Sequence, residues 1–71
     1  MGRYVVFFTG GSDVESLMRR MQQYREEQGA TALDQPEVAF ANKRWSGRMK
    51  VEQAADPAGL PFDVRWERLA D

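Results

Sequence analysis

The chain has 71 residues, with ten Lys or Arg, eleven Asp or Glu, and a formal net charge of −1 at pH 7. One domain of this length buries only about 60% of its unfolded surface, which leaves a small margin of stability. The chain contains no Cys and no His, so it lacks disulfides, a thiolate nucleophile and the commonest metal ligand and general base. We therefore expect no enzyme, no cofactor and no metal site.

No apolar run approaches the roughly 20 residues of a membrane span, and the N-terminus lacks the hydrophobic region of a signal peptide. The absence of Cys is compatible with a reducing compartment. These features predict a cytoplasmic protein without a membrane partner.

The first predicted element is a strand over residues 3–8. Its run from Tyr4 to Phe8 is apolar at every position and rich in β-branched and aromatic side chains, which favours a strand covered on both faces. Gly10 and Gly11 follow, and glycine can take the positive φ values of a sharp reversal.

An amphipathic helix is predicted over residues 12–28. Ser12 and Glu15 have the spacing of a capping box, and Gly29 is a natural helix stop. Apolar residues at three- and four-residue spacing form one stripe, which comprises Val14, Leu17, Met18, Met21 and Tyr24.

Two strands are predicted after a connection over residues 30–35. Alternating apolar and polar residues indicate strands over 37–41 and 44–52. A turn at Asn42-Lys43 would place Phe40 opposite Trp45 on one face, since Asn tolerates a left-handed conformation. The alternative turn, Ser46-Gly47, would leave the tryptophan at the hairpin tip.

The residues Asp56 to Gly59 suit a type I turn, and alternation indicates a last strand over 62–68. The chain thus reads as one domain, 1–71, of class α+β, with the order β-α-β-β-β. One amphipathic helix packs on one face of a mostly antiparallel sheet. The first two strands could be parallel neighbours joined through the helix, and the strand order stays open.

Two stretches are candidates for anion binding. Gly10, Gly11 and Ser12 lie at a strand-to-helix junction, where free N–H groups and the helix dipole favour negative charge, although an ordinary turn and cap fits the same residues. Basic residues surround an aromatic one in the predicted hairpin, as a nucleic-acid surface requires; these are Lys43, Arg44, Trp45, Arg48 and Lys50.

Alternation sends Trp45 to the opposite face from Arg44, Arg48 and Lys50. Asp63 and Glu67 on the last strand could also neutralise Arg48 and Lys50 across the sheet. A solvated sheet face is therefore the competing interpretation of the basic hairpin.

Part of the chain resembles the dodecins, small flavin-storing bacterial proteins that assemble as hollow dodecamers. The resemblance rests on the βαββ order, on Gly11-Ser12 before the helix, and on ALD followed by EV between Ala32 and Val38. Dodecins have a flavin-stacking aromatic residue just before that EV, where this chain has Gln35 and Pro36. Flavin binding is therefore not carried over.

The apolar surface predicts self-association. One helix is about 10–12 Å across and covers little more than half of four strands spaced roughly 4.8 Å apart. The sheet face beneath it would carry Val38, Phe40, Trp45, Met49, Val51, Phe62, Val64 and Trp66. Partner subunits normally cover such patches, so we expect a dimer or larger, with Trp45 or Trp66 at the contact.

These expectations lead to two functional hypotheses. The first is a small self-associating module that binds another protein as a regulator or inhibitor, of the kind that phages or their hosts encode. The second is a nucleic-acid-binding protein that uses the basic hairpin 43–50, with Arg44, Arg48 and Lys50 as the contacts.

Overall fold

The computed structural model of the chain describes residues 1–69, so residues 70 and 71 of the predicted domain lie outside the described part. It has an α+β fold in which one helix packs against a five-stranded sheet. The elements are β1 (Gly2–Thr9), α1 (Val14–Gln28), β2 (Thr31–Ala32), β3 (Glu37–Ala41), β4 (Arg44–Gln53) and β5 (Val64–Arg68). The short strand β2 lies in the stretch that the sequence predicted as a plain connection.

All strand pairs within the described residues are antiparallel. The order is β2-β4-β1-β5, and β3 pairs with β4 on the same side as β2. The parallel contact between the first strand and residues 37–41, which the sequence left open, does not form, because β4 lies between β1 and β3. Consequently β5 forms one free edge of the sheet, and β2 with β3 forms the other.

The core lies between α1 and the centre of the sheet. Side chains of β1 and β4 contact one face of the helix, because alternate strand residues share a face. The buried cluster comprises Tyr4, Val6, Phe8, Leu17, Met21, Tyr24, Met49, Val51 and Val64. Val5 is also buried on the opposite face, where the register places it between Lys50 and Glu67, whose aliphatic stems can cover it.

The helix begins one residue later than the capping-box prediction required. Asp13 is the N-cap, and its carboxylate accepts from the Glu15 N–H at 3.0 Å and from the Ser16 hydroxyl at 2.9 Å. The predicted Ser12 cap is therefore wrong, because the neighbouring carboxylate holds the first-turn donor. At the other end Gly29 is left-handed, with φ 63°, as predicted.

Neither Gly10 nor Gly11 has a positive φ value. This finding corrects the sequence interpretation, in which these glycines reverse the chain through a left-handed conformation. The Gly10 N–H donates to the Trp45 carbonyl at 2.8 Å, and the Trp45 N–H donates to the Gly11 carbonyl at 2.8 Å. A Cβ at position 10 would lie 3.0 Å from that Trp45 oxygen. Gly10 is thus needed for close backbone approach rather than for a left-handed turn.

The predicted hairpin is confirmed. Asn42 and Lys43 have φ values of 52° and 62°, the two positive values of a type I′ turn. Phe40 lies opposite Trp45, as expected, and their ring centroids are 5.1 Å apart.

Two predictions about the last third of the chain are wrong. Residues 56–59 form no hydrogen-bonded turn; instead the Asp56 carboxylate accepts from the Tyr4 hydroxyl at 2.6 Å, and Gly59 is left-handed. Strand β5 begins at Val64, and Phe62 is 100% exposed, because the chain pairs with β1 only from Val64 onward.

Candidate functional site

An apolar surface remains open where β3 extends beyond the helix. Met18, Val38 and Phe40, which we call the β3 patch, are 55%, 39% and 57% exposed. The sequence placed Met18 in the buried stripe, which is wrong, since α1 packs over β1 and β4 and leaves this residue beside the groove that borders β3. Trp45 is half-buried against the core next to this patch.

The backbone of β3 provides unpaired hydrogen-bonding groups along the same edge. In an antiparallel pair, alternate residues direct their N–H and C=O groups toward the partner strand. Because the turn has two residues, the backbone N–H and C=O groups of Ala41 point toward β4. By alternation, those of Ala39 and Glu37 also point toward β4. Val38 and Phe40 therefore direct their N–H and C=O groups outward, away from every strand of the described residues 1–69.

A groove of about 640 Å³ separates α1 from β3. Its apolar lining includes Met18, Met21, Pro36 and Val38, and Arg25 also lines it. The Nε of Arg25 is buried and has no hydrogen-bond partner within residues 1–69. The Arg25 side chain therefore places a guanidinium group along the otherwise apolar wall of the groove.

The opposite edge of the sheet is better protected. Three of the five β5 residues are charged, namely Arg65, Glu67 and Arg68, and charges along an edge discourage pairing with another chain. Trp66 is 37% exposed there and packs edge-on against Tyr4, with centroids 5.5 Å apart. In β3 only Glu37 is charged, so the β3 edge is the less protected of the two.

The two predicted contact tryptophans do not form one surface. Trp45 is on β4 and Trp66 is on β5, two strands apart in the sheet. Trp45 borders the β3 patch and Trp66 lies on the charged edge, so one partner strand cannot contact both side chains at the same edge.

The basic residues of the hairpin lie on the sheet face opposite the helix, and Trp45 lies on the other face, as alternation predicted. Arg48 forms an ion pair with Glu37 on β3. Asp63 does not neutralise these cations, because it binds Arg20 at 3.0 Å. Glu67 is separated from Lys50 by β1, with Val5 between them.

This open face also carries an aromatic residue. Phe7 is half-buried, and the register places Arg48 on one side of it and Arg65 on the other. The strands place five cations and three carboxylates on the face, which are Arg3, Arg44, Arg48, Lys50 and Arg65 with Glu37, Glu52 and Glu67. Phe7 and Arg65 were not recognised as site residues in the sequence, because only the strand order brings them beside the hairpin.

The glycine turn has less capacity for an anion than its sequence suggested. The Gly10 N–H is already bonded to Trp45, and the Asp13 carboxylate occupies the start of the helix. Hydrogen bonds from Ser16 and from the Glu15 N–H lower the pKa of Asp13 below its usual range, so this position is negative near neutral pH. We propose no anion site at Gly10, Gly11 or Ser12.

Comparison with known proteins supplies no relative. No family model matches the chain, and neither a curated protein nor a solved structure matches it. Within residues 1–69, no helix is long and apolar enough to cross a membrane, and no three acidic side chains are grouped as a metal site.

The sequence contained a signal for the β3 edge. Val38 and Phe40 lie in a five-residue strand between Pro36 and the turn, and proline next to a short strand is typical of sheet edges. The exposed position of Met18 had no such signal, since its spacing fits the helix stripe as well as that of Met21 does.

Proposed function

We propose that the protein is a small cytoplasmic module that binds proteins by adding a strand to the β3 edge, and that it regulates or inhibits a partner by occupying an extended segment of it. One observation carries the proposal: the free backbone groups of Val38 and Phe40 lie beside the exposed apolar β3 patch. Main-chain hydrogen bonds supply affinity in this mode, and pockets for alternate side chains supply specificity.

The groove defines the chemistry of the segment that fits. Side chains of an added strand alternate between the two faces of the sheet, so every second side chain would lie toward Met18 and Val38 in the groove. These positions suit apolar residues. An acidic group beyond them would lie near the guanidinium of Arg25, which also lines the groove.

Peptide display with a variant that lacks one outward N–H group tests this proposal. Random linear peptides are selected on the wild-type protein and then compared on Val38→Pro, which removes one outward N–H without removing a bond between β3 and β4. We expect ligands with alternating apolar residues whose affinity falls about tenfold or more on Val38→Pro. Failure to select any ligand, or ligands that bind both proteins equally, would contradict the proposal.

The matched control for side-chain contacts is Phe40→Ser against Phe62→Ser. Both remove an exposed phenylalanine, at 57% and 100% exposure, but only Phe40 belongs to the β3 patch. Binding should weaken with Phe40→Ser alone.

We propose nucleic-acid binding on the open sheet face as a second candidate, because Phe7 lies between Arg48 and Arg65 there. Guanidinium groups beside an aromatic ring suit phosphates and a stacked base. Single-stranded oligonucleotides should then be retarded at low salt, and a variant with Arg48→Ala and Lys50→Ala should bind every sequence more weakly. Absence of retardation at low salt would end this candidate.

A further inference from the structure

We infer that one occupant of the β3 edge is a second copy of this chain, paired antiparallel about a twofold axis at Ala39. This inference rests on the proposed function, because it uses the same edge and names one partner for it. The partner is identified by the complementarity of the β3 surface to itself.

The backbone allows one favourable register. With the axis at Ala39, Val38 of each copy lies opposite Phe40 of the other, and the outward groups of both residues form four hydrogen bonds. A shift of two residues in one direction introduces Pro36, which has no N–H. The opposite shift introduces Asn42, which lies in the turn at φ 52°.

The side chains fit the same register. On the helix face, Phe40 of the second copy lies next to Val38, at the open side of the groove that Met18 lines. Aromatic and β-branched residues are favourable cross-strand pairs, and the twofold axis repeats the contact. On the other face Glu37 lies opposite Ala41, so the carboxylates do not meet each other.

The paired sheet would cover the apolar surface that one copy exposes. Residues 38 and 40 are the exposed large apolar side chains of β3, and the twofold contact brings all four of them together in the pair. The charged β5 edge of each copy stays free at the two ends of the joined sheet, where charge limits further growth. The arrangement is therefore a closed dimer.

Site-specific cross-linking tests the register, because the natural sequence has no Cys. Ala39→Cys places two thiols opposite each other as a non-hydrogen-bonded pair, with Cα atoms about 4.5 Å apart, which a disulfide can bridge. Ala41→Cys is the matched control, because it lies on the same exposed face. In the paired sheet it lies opposite Glu37 of the second copy, four residues away from the other introduced cysteine. We expect mild oxidation to join Ala39→Cys at least tenfold faster than Ala41→Cys.

Light scattering completes the test and separates the two proposals. Wild-type protein at high micromolar concentration should have twice the 8.2 kDa mass of one chain, and Val38→Pro should weaken the dimer about tenfold or more. A wild-type monomer, or equal cross-linking at positions 39 and 41, would overturn the second-copy inference. Selected peptides that still lose affinity on Val38→Pro would leave the proposed function standing in that case.

Discussion

Tyr24 on α1 donates a 2.7 Å hydrogen bond to Oε1 of Gln53 at the end of β4, and both side chains are buried. The Gln53 amide nitrogen donates in turn to the Ala55 carbonyl at 2.8 Å. The hydrogen bond between Tyr24 and Gln53 fixes α1 against β4, the strand with which β3 pairs. It therefore supports the position of the groove.

Tyr24→Phe should destabilise the fold by about 1–2 kcal/mol, because it leaves the buried Gln53 oxygen without a donor. Tyr4→Phe is the control. The Tyr4 hydroxyl also donates a hydrogen bond, but its acceptor is a carboxylate oxygen of the exposed Asp56, which water can solvate after the substitution. Urea unfolding at neutral pH measures both. Equal losses for the two variants would contradict the importance of the buried pair.

Tyr24 also predicts a loss of stability in alkali. Burial raises its pKa from 10.0 to about 12, although the hydrogen bond with Gln53 opposes the shift. The fold therefore favours the neutral phenol, and this contribution is complete below pH 10 and declines as the pH rises from 10 to 12. Tyr24→Phe should reduce that decline in urea unfolding midpoints. Identical pH profiles for wild type and variant would refute the assignment.

The hairpin turn predicts a stabilising substitution. Lys43 has a φ of 62°, a conformation that costs a side-chain-bearing residue free energy and that type I′ turns usually give to glycine. Lys43→Gly should stabilise the protein by about 0.5–1 kcal/mol in thermal or urea unfolding. Lys43→Ala removes the same charge but keeps the strain, so it should gain no such stability. A larger gain from alanine than from glycine would argue against this turn.

Gly47 on β4 allows the helix to approach the sheet. A Cβ there would lie 2.7 Å from the Met21 sulfur and 3.4 Å from a Leu17 methyl carbon. Because Met21 is buried at 2% exposure, its flexible end has little room to move, so Gly47→Ala should cost about 1 kcal/mol or more through overpacking. Gly11→Ala has no atom within 4 Å of the added carbon and should change stability by less than about 0.5 kcal/mol. The comparison fails if both variants unfold alike.

The sequence predicted turns and strand registers better than it predicted which strands are neighbours in the sheet. The turn at Asn42-Lys43 and the pairing of Phe40 with Trp45 followed from alternation. A shift of the register by one residue would place the large side chains on opposite faces of the sheet. The N-cap was misplaced because Ser12 and Asp13 are both good caps, and only the folded backbone selects between them.

Strand order could not be derived from these patterns, since alternation assigns faces but not adjacent strands. That limit explains why the charged partners were assigned incorrectly. Glu37 binds Arg48 from β3, and Asp63 binds Arg20 of the helix, whereas the sequence pointed to pairs between β4 and β5. The sequence placed Val38 and Phe40 on an apolar face too wide for one helix, but it did not single them out as the exposed part, because that depends on which strands the helix covers.

Amide hydrogen exchange at Val38 and Phe40, measured by NMR at low and high protein concentration, tests the central claim most directly. The amides of Glu37, Ala39 and Ala41 face β4 and should be protected at both concentrations. Those of Val38 and Phe40 face outward and should become protected only when a second copy or a selected peptide pairs with β3. Fast exchange at both residues under every condition, with protection appearing instead along β5, would contradict the account.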